Sequence, residues 1–238
     1  MKKLSELSVF FPFWNEEKNL EQVVKKTIPV AQKVSDNWEI LIIDDGSSDN
    51  TLKVARKLSE KNENLKVISH NQNRGYGAAL KTGLQNAKYK NIVFTDGDGQ
   101  FDFSEVEKFI NESDKADFVI GYRKKRLDNP FRHLLMNLLK IWDFVLFGFT
   151  FKDIDCGFKF FKKDAVLKIY PLKSEGAMIT TEILAKAKKR HLKIAEVEVN
   201  HYPRVYGTQS GGNIRVILRA IKESLILWKD INFSYGRN

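Results

Sequence analysis

Asn91–Gln100, NIVFTDGDGQ, is the stretch on which the fold turns: a short apolar run that empties into two aspartates, two glycines and an amide. Such a run, bounded by turn residues, reads as a strand (Asn91–Thr95) followed by a loop. The same grammar appears twice upstream. Leu7–Phe13 (LSVFFPF) leads into PFWNEE, and Glu39–Asp44 (EILIID) leads into DDGSSDN. Helical patterns separate these strands, over Glu16–Val34, Asp49–Lys61, Gly75–Ala87 and Ser104–Ile110, with further strands at Leu65–His70 and Ala116–Gly121. Strands alternating with helices predict an α/β fold with a mostly parallel central sheet. Ligands of open α/β sheets lie beyond the carboxyl ends of the strands, which is where all three polar clusters fall.

Beyond Gly121 the pattern changes. A basic loop, RKKRLDNP (123–130), precedes the apolar stretch Leu134–Phe151, and DIDCGFKFF (153–161) returns to the sheet. A helix over Thr180–Lys189, a strand over Leu192–Val199, the loop HYPRVYGTQSGGN (201–213) and an amphipathic helix from Ile214 to Trp228 follow. No repeat or low-complexity linker divides the chain, so one domain over 1–238 is expected.

The chain has 238 residues, 40 Lys and Arg against 30 Asp and Glu, and a net charge of +10; 42% of its residues are hydrophobic and 29% charged. That composition fits a globular chain with a full core and excludes a disordered or fibrous one. A single cysteine, Cys156, excludes an intramolecular disulfide framework and reads as a buried thiol in a reducing compartment. The opening MKKLSELSVFF reads as a first strand and not a signal peptide, so export is not expected. The apolar stretch carries Asn137, Lys140 and Asp143. Charges near a bilayer centre cost roughly 2.5–3.5 kcal/mol each on insertion scales, so a helix at the lipid interface or packed on the domain fits better than a spanning one.

In DGDGQ, Asp96, Asp98 and Gln100 alternate on an extended backbone and can meet one hard cation, while a polar turn capping the next helix is the plainer alternative. A calcium loop is rejected, because Phe101 stands where that loop needs glycine and a strand leads in. In DDGSSDN one residue, Asp49 or Ser48, suffices to cap the following helix, which leaves Asp44 or Asp45 for a ribose or base. Asn15 could cap its own helix, and Phe13 and Trp14 could stack on a base or pack. NRGYGAAL (73–80) is glycine-rich but has neither the dinucleotide fingerprint nor a P-loop, so Gly75 and Gly77 read as close-packing positions with Arg74 available to a phosphate. His201 reads as structural.

Taken in order, SVFFPFWNEEKNL, IIDDGSSDNT, NRGYGAALKTGL, FTDGDGQFD, DIDCGFKFF and HYPRVYGTQS resemble the family 2 glycosyltransferases of GT-A fold, and more closely the branch of dolichyl-phosphate mannose synthase and bacterial polyprenyl-phosphate glycosyltransferases. The resemblance implies a nucleotide-sugar-binding half (1–121) and an acceptor-binding half (122–238) with a membrane-interface helix over 130–151. It implies a nucleoside-diphosphate sugar, GDP-mannose or a UDP-hexose, held around Pro12, Asn15, Glu16, Asp44, Asp45, Arg74 and Asp96. It further implies Mg²⁺ or Mn²⁺ at Asp96, Asp98 and Gln100, with Asp98, Arg123 and Arg204 serving the reaction. Arg126 and Ser210 then face the acceptor, and Asp155 or Glu182 is the candidate base if that acceptor is a hydroxyl. Relatives often carry R-x-x-G-x-S-K, whereas here Arg204, Gly207 and Ser210 are spaced one residue longer and glycine replaces the lysine; Arg215 is one substitute.

The implied activity is metal-dependent, inverting hexosyl transfer to a polyprenyl or dolichyl phosphate. The implied location is cytoplasmic, peripheral on the inner face of the cell membrane, beside an integral-membrane partner protein. Three other readings stand beside it. A saccharide hydroxyl in cell-envelope polysaccharide synthesis is the alternative acceptor. A nucleotidyltransferase would open with a glycine-rich basic loop that FPFWNEE lacks. Nucleic-acid binding is suggested by charge alone, and the lysines are spread over many helices instead of forming one aromatic-lined stripe.

Overall fold

The computed structural model describes residues 2–124, 141–207 and 214–233, with side chains of the last segment from 221 onward. The first half runs β1 (Leu4–Phe13), α1 (Glu17–Val34), β2 (Ser35–Asp44), α2 (Thr51–Ser59), β3 (Leu65–Ser69), α3 (Tyr76–Asn86) and β4 (Asn91–Thr95). A 3-10 turn (Phe103–Glu105) leads into α4 (Val106–Glu112) and β5 (Phe118–Arg123). Then follow α5 (141–147), β6 (Phe158–Lys162), α6 (Lys163–Leu167), α7 (Ile179–Lys189), β7 (Ile194–Val199) and α8 (Ile214–Phe233).

One seven-stranded sheet runs through both halves in the order β3-β2-β1-β4-β6-β5-β7. Alternate side chains of each strand face opposite layers. Val9, Phe11 and Phe13 of β1 join Leu20 and Val24 of α1, Ala55 of α2 and Phe109 of α4 in one core. Phe10, between them, faces the other core with Leu80 and Leu84 of α3, Val166 of α6 and Ile183 of α7. In that second core the rings of Phe10, Phe94 and Phe161 stack across three neighbouring strands, with centroids 5.4 and 5.9 Å apart. Each buried aromatic contributes roughly 1.5–3 kcal/mol by leaving water.

Among the departures from the sequence reading, the start of β2 and the presence of α6 have identifiable reasons. β2 begins at Ser35 and not Glu39, because its polar start pairs in register with β1 from Leu4↔Ser35 onward and Asn37 Nδ2 donates to the Ser5 carbonyl at 3.0 Å. α6 has five residues, too few for a helical period to show in the sequence.

β6 matters most for the site. It lies antiparallel between β4 and β5 while the other pairs are parallel. Its start therefore arrives where β4 ends, and the Asp96 amide donates to the Gly157 carbonyl at 2.9 Å.

Candidate active site

Asp96 and Asp98 sit on the loop leaving β4. Tyr76, the first residue of α3, donates its hydroxyl to Asp96 Oδ1 at 2.8 Å. On the other side a Cβ at Gly157 would collide with the same carboxylate, so only glycine fits there. Burial, and after it the charge of Asp98, pushes the Asp96 carboxyl up to about 7. Burial raises Asp98 as well, against the amide of Gln100, which donates to its Oδ1 at 3.0 Å. Burial and then Asp96 push the Tyr76 phenol well above its ordinary value, so it stays a donor. The two carboxylates share a desolvated loop, and the charges of Lys159 and Arg123 offset the cost of ionising Asp96 only in part.

The donor set suits a hard divalent cation. Mg²⁺ and Mn²⁺ take oxygen ligands, and Mg²⁺ is commonly held by one or two carboxylates, with substrate phosphates and water completing its shell. Among the described residues no group of three or more His, Cys, Asp or Glu is placed to hold a metal ion.

Asp44 and Asp45 are in the opposite state. Asp44 accepts from Ser69 Oγ at 2.8 Å and from the Ser47 amide at 3.3 Å. Asp45 accepts from the amides of Arg74 and Gly75 at 2.9 and 2.8 Å, and its Oδ1 lies 2.6 Å from His70 Nδ1. Both are buried. Asp45 thus fastens the NRGYG segment to the end of β2. The start of α3 is closed from the other side, because Gly77 donates to the Glu175 carbonyl at 2.8 Å and side chains at Gly75 or Gly77 would strike residue 175. Close packing, and not a phosphate cradle, explains those glycines; Arg74 pairs with Glu175 at 3.3 Å and is half exposed.

The loop after β1 faces this region from α1. Asn15, at φ 55, accepts from the Ser48 amide at 2.8 Å, and so bridges to the second cluster without capping α1. Asp49 Oδ1 accepts from the Thr51 amide at the start of α2. Pro12 is half-buried in β1, Phe13 is core, and Trp14 is exposed.

Arg204, from the loop after β7, reaches across the cleft. Its Nη2 pairs with Glu16, its Nε donates to the Tyr206 carbonyl at 2.7 Å, and its Nη1 lies 3.7 Å from Asp98 Oδ2. Burial lowers its pKa. The resemblance gives Glu16, Asp98 and Arg204 separate roles at one site, and the structure brings the three side chains together from remote segments.

Arg123 comes from β5. Burial works against its charge, but a bidentate pair with Asp153, at 2.7 Å from Nε and 3.0 Å from Nη2, raises its pKa above the ordinary value. Asp155 is exposed two residues on. Nearby, burial and then Asp155 push Asp143 of α5 up to about 7.

One expectation needs correction. Glu182 is not a free base: it is fully buried, accepts from the amides of Lys173 and Ser174, and pairs with Lys186 at 2.6 Å. Gln100 Nε2 donates to the Tyr202 carbonyl at 2.9 Å and its main-chain carbonyl accepts from the Tyr202 amide, so it ties the loop after β7 to the loop after β4 through atoms other than its side-chain Oε1, the one that could meet a cation. Arg126 and Ser210 lie outside the described residues, and so does the side chain of Arg215.

Three residues of the site escaped the sequence reading. Asp153 holds Arg123 from 30 positions away, so no local pattern signals it. Lys159 is fully buried in the apolar run of β6, donates to the Ile154 carbonyl at 2.9 Å and to the Cys156 carbonyl, and has its pKa lowered by burial. A lysine inside FKFF was the available signal. Tyr76 was visible only as a residue between two glycines. His201 packs its ring edgewise on Phe101, centroids 5.2 Å apart, and Cys156 is buried.

A family model described as glycosyl transferase family 2 matches residues 8–167. The chain is 33% identical over 221 residues to a dolichyl-phosphate beta-glucosyltransferase of Saccharomyces cerevisiae, covering 82% of this chain and 66% of that protein. It is 35% identical over 215 residues to the protein of the same name from Dictyostelium discoideum, covering 82% and 65%. It is 26% identical over 224 residues to a dodecaprenyl-phosphate galacturonate synthase of Rhizobium johnstonii, covering 90% and 64%. The chain thus spans 64–66% of the length of these relatives. Among solved structures, glucosyl-3-phosphoglycerate synthase from Mycobacterium tuberculosis, in complex with Mn²⁺, UDP and glucosyl-3-phosphoglycerate, superposes with a TM-score of 0.71 at 18% identity. That match covers 95% of this chain and 79% of that one, and it shows a shared GT-A fold.

Proposed function

The chain belongs to glycosyl transferase family 2, and from that premise we propose that it moves a hexose from a nucleoside-diphosphate sugar, GDP-mannose or a UDP-hexose, to a polyprenyl phosphate with inversion. The observation that carries this reading is the desolvated pair Asp96 and Asp98, lying between Tyr76 and Arg204, with burial and the neighbouring carboxylate holding Asp96 up at about 7. The names of the relatives, which include dolichyl and dodecaprenyl phosphates, support the acceptor class. Mn²⁺ and UDP in the structural neighbour support the donor class.

Asp96 and Asp98 would hold Mg²⁺ or Mn²⁺, which when bound supplies positive charge to the leaving diphosphate. In the transfer an acceptor phosphate oxygen forms the bond to the anomeric carbon as the bond from that carbon to the diphosphate breaks. The electron pair leaves with the nucleoside diphosphate, and a single displacement inverts the centre. The acceptor oxygen is already ionised at neutral pH, so no general base is needed. Arg204 can exchange Glu16 for phosphate oxygens at the mouth of the site, and Arg123, aimed by Asp153, adds fixed positive charge on the β5 side. Asp155, exposed, is the group that would serve a hydroxyl acceptor.

A peripheral membrane site is part of the same proposal. Ile141, Phe144 and Val145 of α5 and Leu225, Ile226, Trp228 and Phe233 of α8 are exposed, and Trp142 Nε1 joins the two helices through Ser224 Oγ at 2.8 Å. No described helix is long and apolar enough to cross a membrane. An apolar helical face in a chain whose sequence at 123–130 is basic suits anionic lipid on the inner face of the membrane, with an integral-membrane partner alongside.

The test is nucleotide release over a panel of donor sugars, with and without polyprenyl phosphate and Mg²⁺ or Mn²⁺. Release that needs both lipid and metal is expected. Release that ignores the lipid and proceeds onto a free saccharide would overturn the acceptor assignment.

A further inference from the structure

Of the NRGYG segment the donor and acceptor roles use only Arg74, although the segment reaches the candidate metal site. We infer that Tyr76 is a positioning residue of that site, its hydroxyl fixing the Asp96 carboxylate so that Asp96 and Asp98 take one divalent cation together with a nucleoside diphosphate. The inference deepens the reading above and rests on it.

Three segments remote in sequence converge on one carboxylate. Tyr76 donates to Asp96 Oδ1 from α3, and Gly157 of the β6 loop closes the other side, where any side chain would strike Asp96. The Gly157 carbonyl also takes the Asp96 amide. The tyrosine itself is held from two directions. Asp45 accepts the amides of Arg74 and Gly75 just before it, and the Glu175 carbonyl accepts the amide of Gly77 just after it. Gly75 stands at φ +101, a backbone conformation that a side chain would strain, and it turns the chain so that Tyr76 opens α3 toward β4. The fold thus spends two glycines and a buried aspartate on the placement of one hydroxyl. Partners that orient metal-ligating side chains typically change metal affinity 10–100-fold when removed.

A purely packing role is the competing account, since the ring also lies against the core of Leu80 and Ile179. Phenylalanine would fill that role equally, so Tyr76→Phe separates the two. Mn²⁺ binding is followed by electron paramagnetic resonance in the presence of UDP or GDP, for the wild type, Tyr76→Phe and Asp98→Ala. Nucleotide affinity in EDTA and the melting temperature are measured alongside. Tyr76→Phe is expected to weaken Mn²⁺ about 10-fold, with nucleotide affinity in EDTA and the melting temperature unchanged. Mn²⁺ affinity equal to wild type, or an equal loss of nucleotide affinity in EDTA, would overturn the positioning role while leaving the metal site standing. Wild-type Mn²⁺ binding by Asp98→Ala would overturn the metal site itself, and the inference with it.

Discussion

Asp44–Asp45 and Asp96–Asp98 look alike in the sequence: each follows an apolar strand, carries two carboxylates and includes a glycine. In the structure Asp45 is saturated by two backbone amides and a histidine, while Asp96 has one tyrosine hydroxyl and a like-charged neighbour that, with burial, pushes it up to about 7. Equal composition therefore hides opposite electrostatics. The hydrogen bonds of the first cluster fasten NRGYG to the end of β2, and the second is the pair proposed to take a cation with its ligand. Glu182, a candidate base in the sequence, belongs with the first kind.

That contrast can be broken by substitution. The largest effect is expected for Asp98→Ala, which should reduce lipid-dependent nucleotide release by about 10³-fold, several kcal/mol of transition-state stabilisation, with little change in melting temperature. Steady-state rates beside a thermal melt check both halves. Glu182→Ala should act the other way round: removing one member of a buried pair costs about 3–5 kcal/mol of stability, read by urea denaturation. Asp45→Asn keeps the size but weakens charge-assisted bonds, each contributing about 1.5–3 kcal/mol, so a loss of about 2 kcal/mol is expected in the same experiment. Either stability variant losing only turnover, with its melt intact, would erase the distinction between frame and site.

The smallest effect sharpens the contrast on a third carboxylate. Burial, helped by Asp155, raises Asp143 from 3.8 to about 7 in the folded chain. The unfolded chain releases that proton first, so stability contributed by Asp143 is present at low pH and declines as pH rises from about 4 to about 7. Asp143→Asn should flatten the decline by on the order of 1 kcal/mol, the group being half exposed and partly screened. Denaturation midpoints at pH 4.5 and 7.5 measure it.

What was legible follows the same division. β4 was read to the residue, and the strand ends that carry the clusters were read closely, because period-2 burial and turn residues are local signals. That Glu16, Asp98 and Arg204 serve one site was implied by the family resemblance, but their mutual contacts were not. Nor was the direction of β6 legible, since an antiparallel return and a parallel crossover leave the same apolar run. With it went Gly157 beside Asp96, the Arg123–Asp153 pair and the buried Lys159, all of which depend on where that strand lands. The tie from Gln100 to Tyr202 was equally hidden, since alternation on an extended segment shows which side chains share a face and not what a loop 102 positions away places beside them.

The central claim, that the unsaturated pair and not the saturated one takes a cation with a nucleoside diphosphate, is tested most directly by ligand-induced thermal stabilisation of wild type, Asp98→Ala and Asp45→Asn. A ligand at 100 times its Kd stabilises the folded state by about 2.7 kcal/mol. Mn²⁺ with UDP or GDP should raise the melting temperature of the wild type and, from a lower baseline, of Asp45→Asn, and should leave Asp98→Ala unmoved. A full shift in Asp98→Ala, with none in Asp45→Asn, would contradict the account.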